Sequence, residues 1–338
     1  MAENVMDTIV AGLRAAATDY YPQYGELRNV RIVGHTPKSD HYIYDMVIDF
    51  AGGTQRVAAK VYRGGKPGAA KSMAKQEAGN LERIYSIFQK KKLNGVPRPI
   101  GDFTELGAVV SEKFTGLPLQ SIIMKAALLP GYADRGTLKA AARKTGEWLR
   151  SFHKATADMP IPFDSETLIK ELEQVCHRCK GEGLDDASIA GMVNGARHVL
   201  AKAKKTVASS AVLNDFTPLN VVVAEQGIGI CDYAAMLGRG VSFHDVAMFL
   251  ASVEALEKYP FCDRTITQQI QDEFVEAYGV SAADMAIVRV LKMKILLGMF
   301  AQGRNVKESA LRKKIMWANV MKKFIHQAAQ RSLAQPAA

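Results

Sequence analysis

Leu213-Asn-Asp-Phe-Thr-Pro-Leu-Asn220, then Val221-Val-Val223 and Ile228-Gly-Ile-Cys-Asp232, is the stretch on which the reading of this chain turns. Asp215 and Asn220 are spaced Asp-x4-Asn, and Asp232 follows one short hairpin later. The order carboxylate, amide, carboxylate suits phosphoryl transfer. One carboxylate orients and deprotonates an attacking hydroxyl, while an amide and a second carboxylate hold Mg²⁺ against nucleotide phosphates. Magnesium takes hard oxygen ligands and is commonly held by one or two carboxylates plus substrate phosphates, so three oxygen-bearing side chains suffice.

Working outward, the pair 220–224 and 228–231 around Glu225-Gln-Gly227 predicts a strand hairpin. On the N-terminal side, Asn29–Val33, Tyr42–Phe50 and Gln55–Tyr62 read as strands, with Ala51-Gly-Gly-Thr54 as a turn. A helix is predicted over 5–19, with Val5, Ile9, Leu13 and Ala16 on one face, and another over 71–91 through Met73, Leu81, Ile84, Ile87 and Phe88. A strand returns at 108–114. From 137 onward the pattern is helical. Leu138, Ala141, Thr145, Trp148, Leu149 and Phe152 form one stripe, 165–206 is helical with a glycine-rich break at 181–183, and helices follow residue 244. A sheet followed by helices is an α+β arrangement.

The whole chain has 338 residues, 48% apolar and 23% charged, an ordinary globular balance. Glu3, Asp7 and Arg14 interrupt the apolar pattern after Met1 and argue against a secretory leader. Ile295 to Ala301 is too short to span a bilayer. Four scattered cysteines suit a reducing compartment, so a cytoplasmic location is expected. The net charge of +10 is uneven: residues 56–98 carry eleven Lys/Arg against Glu77 and Glu82, and residues 281–338 eleven against Asp284 and Glu308. The first block suits a segment that meets polyphosphate. The second reads as a solvated helix face or as a peripheral contact for an anionic membrane surface. With few aromatics in the tail beyond Trp317 and Phe324, a nucleic-acid partner is disfavoured. Cys176-His-Arg-Cys179 has half the spacing of a zinc site and no second Cys pair nearby, so it reads as helix packing. P-loop and dinucleotide fingerprints do not occur.

The motifs together resemble the aminoglycoside phosphotransferase and choline kinase superfamily, which shares the protein-kinase fold. The resemblance runs over nearly the whole chain. It rests on Val57-Ala-Ala-Lys60, Glu77, Gly95-Val-Pro-Arg-Pro99, Val110-Ser-Glu-Lys-Phe-Thr-Gly-Leu-Pro-Leu119, Gly146-Glu-Trp-Leu-Arg-Ser-Phe-His153, the Asp215 to Asn220 loop, Asp232 and His244-Asp-Val-Ala-Met-Phe249. Each is weak alone; their order and separations are specific.

The resemblance implies a two-lobed fold. A small antiparallel-sheet lobe over 1–115 handles nucleotide phosphates, and a larger, mainly helical lobe over 116–338 holds the catalytic loop, metal site and acceptor. It implies ATP and Mg²⁺ as cofactors and a small-molecule or saccharide alcohol as acceptor. Lys60 would contact the α- and β-phosphates and pair with Glu77, with Glu82 as the rival partner. Ser39 in the phosphate loop Gly34–Asp40 would donate to phosphate, and backbone groups of 111–116, bracketed by Glu112 and Phe114, would meet adenine. Asp215 would be the catalytic carboxylate, Asn220 and Asp232 the metal ligands, and Asp245 the buried brace of the catalytic loop. Three departures stand out: Leu213 where the family usually has His, Asn214 for the usual Gly or Arg, and a phosphate loop with one glycine. They motivate a second reading, a catalytically weak, pseudokinase-type nucleotide-binding regulator.

Overall fold

The computed structural model describes residues 2–129, 131, 134–180, 184–259 and 261–303. In chain order the elements are α1 (Ala2–Tyr20), β1 (Leu27–Pro37), β2 (His41–Phe50), β3 (Gly53–Tyr62), α2 (Ala69–Lys90), β4 (Ala108–Glu112) and β5 (Gly116–Pro118). Then follow α3 (Leu119–Leu128), α4 (Arg135–Ala155), β6 (Asp158–Pro162), α5 (Ser165–Arg178), α6 (Asp186–Leu200) and β7 (Thr206–Val212). The chain continues with β8 (Val221–Ala224), β9 (Gly227–Ile230), β10 (Leu237–Val241), α7 (Phe243–Ala255), α8 (Arg264–Tyr278) and α9 (Ala282–Gly303). The class is α+β. The chain divides into two compact units, one of Met1–Leu117 with Val222–Met236, the other of Pro118–Val221 with Leu237–Ala338.

The first unit is built on an antiparallel sheet in the order β1-β2-β3-β4. Side chains alternate across a strand. Met46, Ile48 and Phe50 of β2 and Val57, Ala59 and Val61 of β3 therefore face one core, with Lys60 on the other side of β3. The stripe Met6, Ile9, Leu13 and Ala17 of α1 covers that core, one residue out of phase with the expected Val5 and Ala16 at its ends. Phe50 pairs with Gly53, so β2 and β3 are joined by a two-residue turn. The segment 34–37, read from sequence as loop, is strand. Gly34 to Pro37 pair with Asp45 to Tyr42, leaving only 38–40 as the turn. Pairing with an aromatic-rich β2 decides this over the local turn signals.

The returning segment 222–236 is anchored to α2. Asn80 Nδ2 donates to the carbonyls of Tyr233 at 3.0 Å and Met236 at 3.2 Å, and Gln76 Nε2 to that of Ala234 at 3.2 Å.

The second unit is mainly helical around an aromatic stack. Trp148 lies against Phe152 and Phe216, Phe216 against Phe249, and Phe249 against Phe274 at 4.1 Å between ring centroids. Four of its helices start at aspartates that accept from backbone N–H two or three residues on: Asp134 for α4, Asp164 for α5, Asp185 for α6 and Asp263 for α8. A small antiparallel sheet, β10-β7-β6, is an addition to the sequence reading. Cys176 and Cys179 are buried, and burial pushes the Cys176 thiol up to about 12. The Cys179 thiol donates to the Leu297 carbonyl. Among the described residues no group of His, Cys, Asp or Glu is arranged to hold a metal by itself.

No described helix is long and apolar enough to cross a membrane. The glycine-rich break at 181–183, and most of the basic tail with its expected membrane contact (from 304 on), lie outside the described residues. Of the tail's described cations, Lys292 pairs with Glu254 and Lys294 with Glu171, each at 2.6 Å.

Candidate active site

In the first unit β3 and α2 position the central cation. Lys60 Nζ lies 3.1 Å from Glu77 Oε1 and 3.1 Å from Asp232 Oδ1. Glu77 is 4% exposed, whereas Glu82 is on the open face of α2, so the choice that helical phase left open falls to Glu77. The Tyr62 hydroxyl donates to Glu77 Oε2. Burial works against the Lys60 ammonium, but the Glu77 and Asp232 carboxylates outweigh it and its pKa is raised. Glu77 is raised as well, by burial first and then by Asp232, with Lys60 pulling the other way. Lys60 is held in its charged form, because two carboxylates face one ammonium. Asp232 Oδ1 also accepts from Ala234 N at 3.0 Å. Its Oδ2 makes no hydrogen bond among the described residues, and the side chain is 26% exposed.

The other expected nucleotide contacts in this unit have these surroundings. Ser39 is exposed in the 38–40 turn, and its hydroxyl donates to Asp40 Oδ1 at 3.3 Å. Asp40 also faces His41 Nδ1 at 2.9 Å. Glu112 ends β4, where its Oε1 accepts from the Tyr21 hydroxyl at 3.1 Å. Its backbone N donates to Arg98 O and that of Lys113 to Arg56 O, so both amides are engaged within the fold. Phe114 lies in the open stretch after β4 with its ring over Gly229, where a Cβ would come within 2.4 Å of it.

In the second unit the loop after β7 carries Asp215 and Asn220. Asn220 Nδ2 donates to Asp215 O at 3.0 Å and to Asp215 Oδ2 at 2.9 Å. That anchor fixes the amide nitrogen, and the side chain's Oδ1 is an acceptor oxygen. Asp245, fully buried at the start of α7, accepts from Leu213 N at 2.8 Å and from Asn214 N at 2.9 Å. Its Oδ2 lies 3.1 Å from His153 Nε2, and His153 Nδ1 lies 2.9 Å from the Tyr278 hydroxyl. The brace expected of Asp245 is thus made through two backbone amides. Its support by His153 and Tyr278 has no local sequence signal, because the partners are 92 and 125 residues apart in the chain.

Two of the departures have physical accounts. Leu213 is 2% exposed and fills its position by packing. Asn214 adopts φ 61°, a left-handed conformation that Asn tolerates better than most residues other than Gly.

Asp232 in the first unit and Asn220 in the second each carry side-chain oxygens of the hard type that Mg²⁺ takes. Lys60, Glu77 and Asp232 are brought together in one unit, Asp215 and Asn220 in the other.

Comparison with known proteins gives a family match over residues 51–291, to the phosphotransferase enzyme family. A comparison with curated proteins gives no match. Among solved structures, a choline/ethanolamine kinase family protein from Mesorhizobium loti is similar with a TM-score of 0.53 and 14% identity, over 98% of this chain and 96% of that one. An aminoglycoside phosphotransferase from Alicyclobacillus acidocaldarius gives 0.53 and 15%, over 90% and 92%. An amicoumacin kinase in complex with AMP-PNP, Ca²⁺ and its ligand gives 0.51 and 13%, over 96% of each chain. At these identities the likeness establishes the fold, which is protein-kinase-like.

Proposed function

We propose that this chain, which belongs to the phosphotransferase enzyme family, transfers the γ-phosphoryl group of ATP to an alcohol hydroxyl of a small molecule or saccharide. The observation that carries the reading is Lys60 held between Glu77 and Asp232. An ammonium so placed stays charged at any working pH and presents a compact donor to phosphate oxygens. Residues 1–115 would handle the nucleotide phosphates, and residues 116–338 the acceptor and the chemistry. With the Glu112 and Lys113 amides engaged, the donor to adenine falls to Phe114 or beyond.

In the reaction Asp215 orients the acceptor hydroxyl and takes its proton. A bond forms between the acceptor oxygen and the γ-phosphorus, the bond from that phosphorus to the bridging oxygen breaks, and ADP leaves with the electron pair. Asn220 and Asp232 would hold Mg²⁺, which when bound neutralises charge on the phosphate oxygens. The protein's own share is positioning and fixed charge. Asp245 acts through the Leu213 and Asn214 amides as a positioning residue for the loop. Four thiols outside any disulfide among the described residues suit a cytoplasmic setting.

A coupled ADP-release assay over alcohols, sugars and amino alcohols tests the reading. Asp215→Ala should lower turnover by about 10²–10⁴-fold while sparing nucleotide binding, and Asp232→Asn should weaken Mg²⁺-dependent nucleotide binding. Full turnover by Asp215→Ala would falsify the assignment.

A second reading, a nucleotide-binding regulator without turnover, is favoured by the 38–40 turn. There the Ser39 hydroxyl is engaged by a neighbouring carboxylate and no glycine amides cradle an anion. Thermal stabilisation by ATP and Mg²⁺ without ADP formation on any acceptor would support it.

A further inference from the structure

A cavity of about 260 Å³ lies wholly within the second unit, walled by residues of β6, α5, β7, β10, α7 and α9 together with Asn214. Asn214 immediately precedes Asp215, and on the phosphotransferase reading, on which the inference rests, the cavity beside it is taken as the acceptor subsite.

Its size, charge and lining then narrow the acceptor. Pockets for drug-sized ligands run from roughly 300 to 1,000 Å³, so this one encloses about one ring, and a three-ring aminoglycoside would extend well out of it. Six of the fourteen lining residues, Pro162, Leu168, Val212, Leu237, Val241 and Leu291, form an aliphatic part of the wall. Two carboxylates, Asp164 and Glu171, stand against one ammonium, Lys294. Glu171 Oε2 is already 2.6 Å from Lys294 Nζ. Asp164 is committed to capping α5, accepting from Thr167 N at 3.0 Å and Thr167 Oγ1 at 2.6 Å. Both acids are thus partly satisfied within the fold, which weakens their pull on a substrate ammonium. Among the described residues Phe163 is the only Phe, Tyr or Trp in the lining, short of the several aromatic faces that cage a quaternary ammonium.

Polar capacity for neutral oxygens is present. The Lys294 ammonium has three donors and makes one hydrogen bond among the described residues. His244 lines the cavity with Nδ1 buried and without a hydrogen-bond partner there. Burial, with Lys294 adding to it and Asp245 opposing, lowers its pKa and keeps the ring neutral.

We propose that the acceptor is an uncharged, hydroxylated single-ring compound, a neutral monosaccharide or cyclitol. Its C–H face packs on the aliphatic wall and its hydroxyls meet Lys294, His244 and Asn214.

The test uses the full chain with ATP and Mg²⁺ and four sets of probes: neutral hexoses and myo-inositol, glucosamine, choline, and kanamycin. ADP release is read beside saturation-transfer NMR of each probe and thermal stabilisation by ATP. Release and NMR contact with at least one neutral ring, and neither with choline or kanamycin, is the expected result. Leu237→Trp alters a side chain that is 50% exposed, and should raise the acceptor KM by about tenfold or more with ATP stabilisation retained. Lys294→Glu, which frees Glu171, should shift preference toward glucosamine by about tenfold. Turnover confined to choline or kanamycin overturns the acceptor class and leaves the phosphotransferase reading standing. ATP stabilisation with no neutral ring turned over or bound overturns the cavity assignment, as does an unchanged KM in Leu237→Trp. No stabilisation by ATP and Mg²⁺ overturns the reading beneath it.

Discussion

At Lys60 the balance of charge is set by burial. Glu77 and Lys60 are both largely withdrawn from water, and a buried ion pair is weak evidence for stability but expensive to break. Lys60→Met would leave Glu77 and Asp232 facing each other with no cation between them. We expect it to destabilise the fold by about 3 kcal/mol, measured by urea denaturation. Lys60→Met with Glu77→Gln should recover part of that loss, because the two sites share one interaction. A Lys60→Met protein as stable as the parent would remove the electrostatic account.

The sequence named most of these residues and missed how they are held. Lys60, Asp215, Asn220 and Asp232 were legible because their spacing is motif-like. The choice of Glu77 over Glu82 required packing, and the His153–Asp245–Tyr278 chain required the tertiary fold.

At the scale of elements, α4 and α8 meet without room between them. A Cβ on Gly146 would come within 2.5 Å of Phe274 O and 3.1 Å of Ala277 Cβ. Backbone cannot yield as a side chain does, so Gly146→Ala should cost about 2 kcal/mol, read as a lowered midpoint of thermal unfolding. The same helix pair carries an exposed ion network, Arg143 with Glu273 at 2.8 Å and Glu276 at 3.2 Å. Arg143 is 42% exposed there, so Arg143→Ala should lower the unfolding midpoint far less than Gly146→Ala. Contact distance, not charge, holds this interface.

Legibility differs between elements for physical reasons. β2, β3 and α2 show strong periodicity and were read near their true limits. β6 was missed because Pro160 and Pro162 give a weak strand signal, and β10 because two of its five residues are glycine.

For the whole molecule, acid stability should fall in two stages. His244 and His41 both have lowered pKa values, burial being the first cause in each; Lys60 adds to it at His41. Each is neutral in the native state while the unfolded chain takes up a proton near pH 6.5. Over that range the unfolded state binds more protons, so stability is full above about pH 7 and declines as pH falls toward 5. The capping carboxylates Asp134, Asp164 and Asp263 are held below their ordinary values, chiefly by threonine hydrogen bonds. Their contribution persists to lower pH and is lost as the caps protonate below about pH 4. Denaturation midpoints at pH 7.5, 6 and 5 should fall less steeply in His244→Gln than in the parent. A parent profile flat from pH 7.5 to 5 would contradict the burial of these imidazoles.

The return of 222–236 to the first unit also dictates a timetable. Lys60 and Asp232 are 172 residues apart in the chain. At a synthesis rate of about 5–20 residues per second, Lys60 is made roughly 10–30 s before Asp232. Through that interval the nascent sheet must wait on the ribosome with one of its lysine's two counter-charges still unmade.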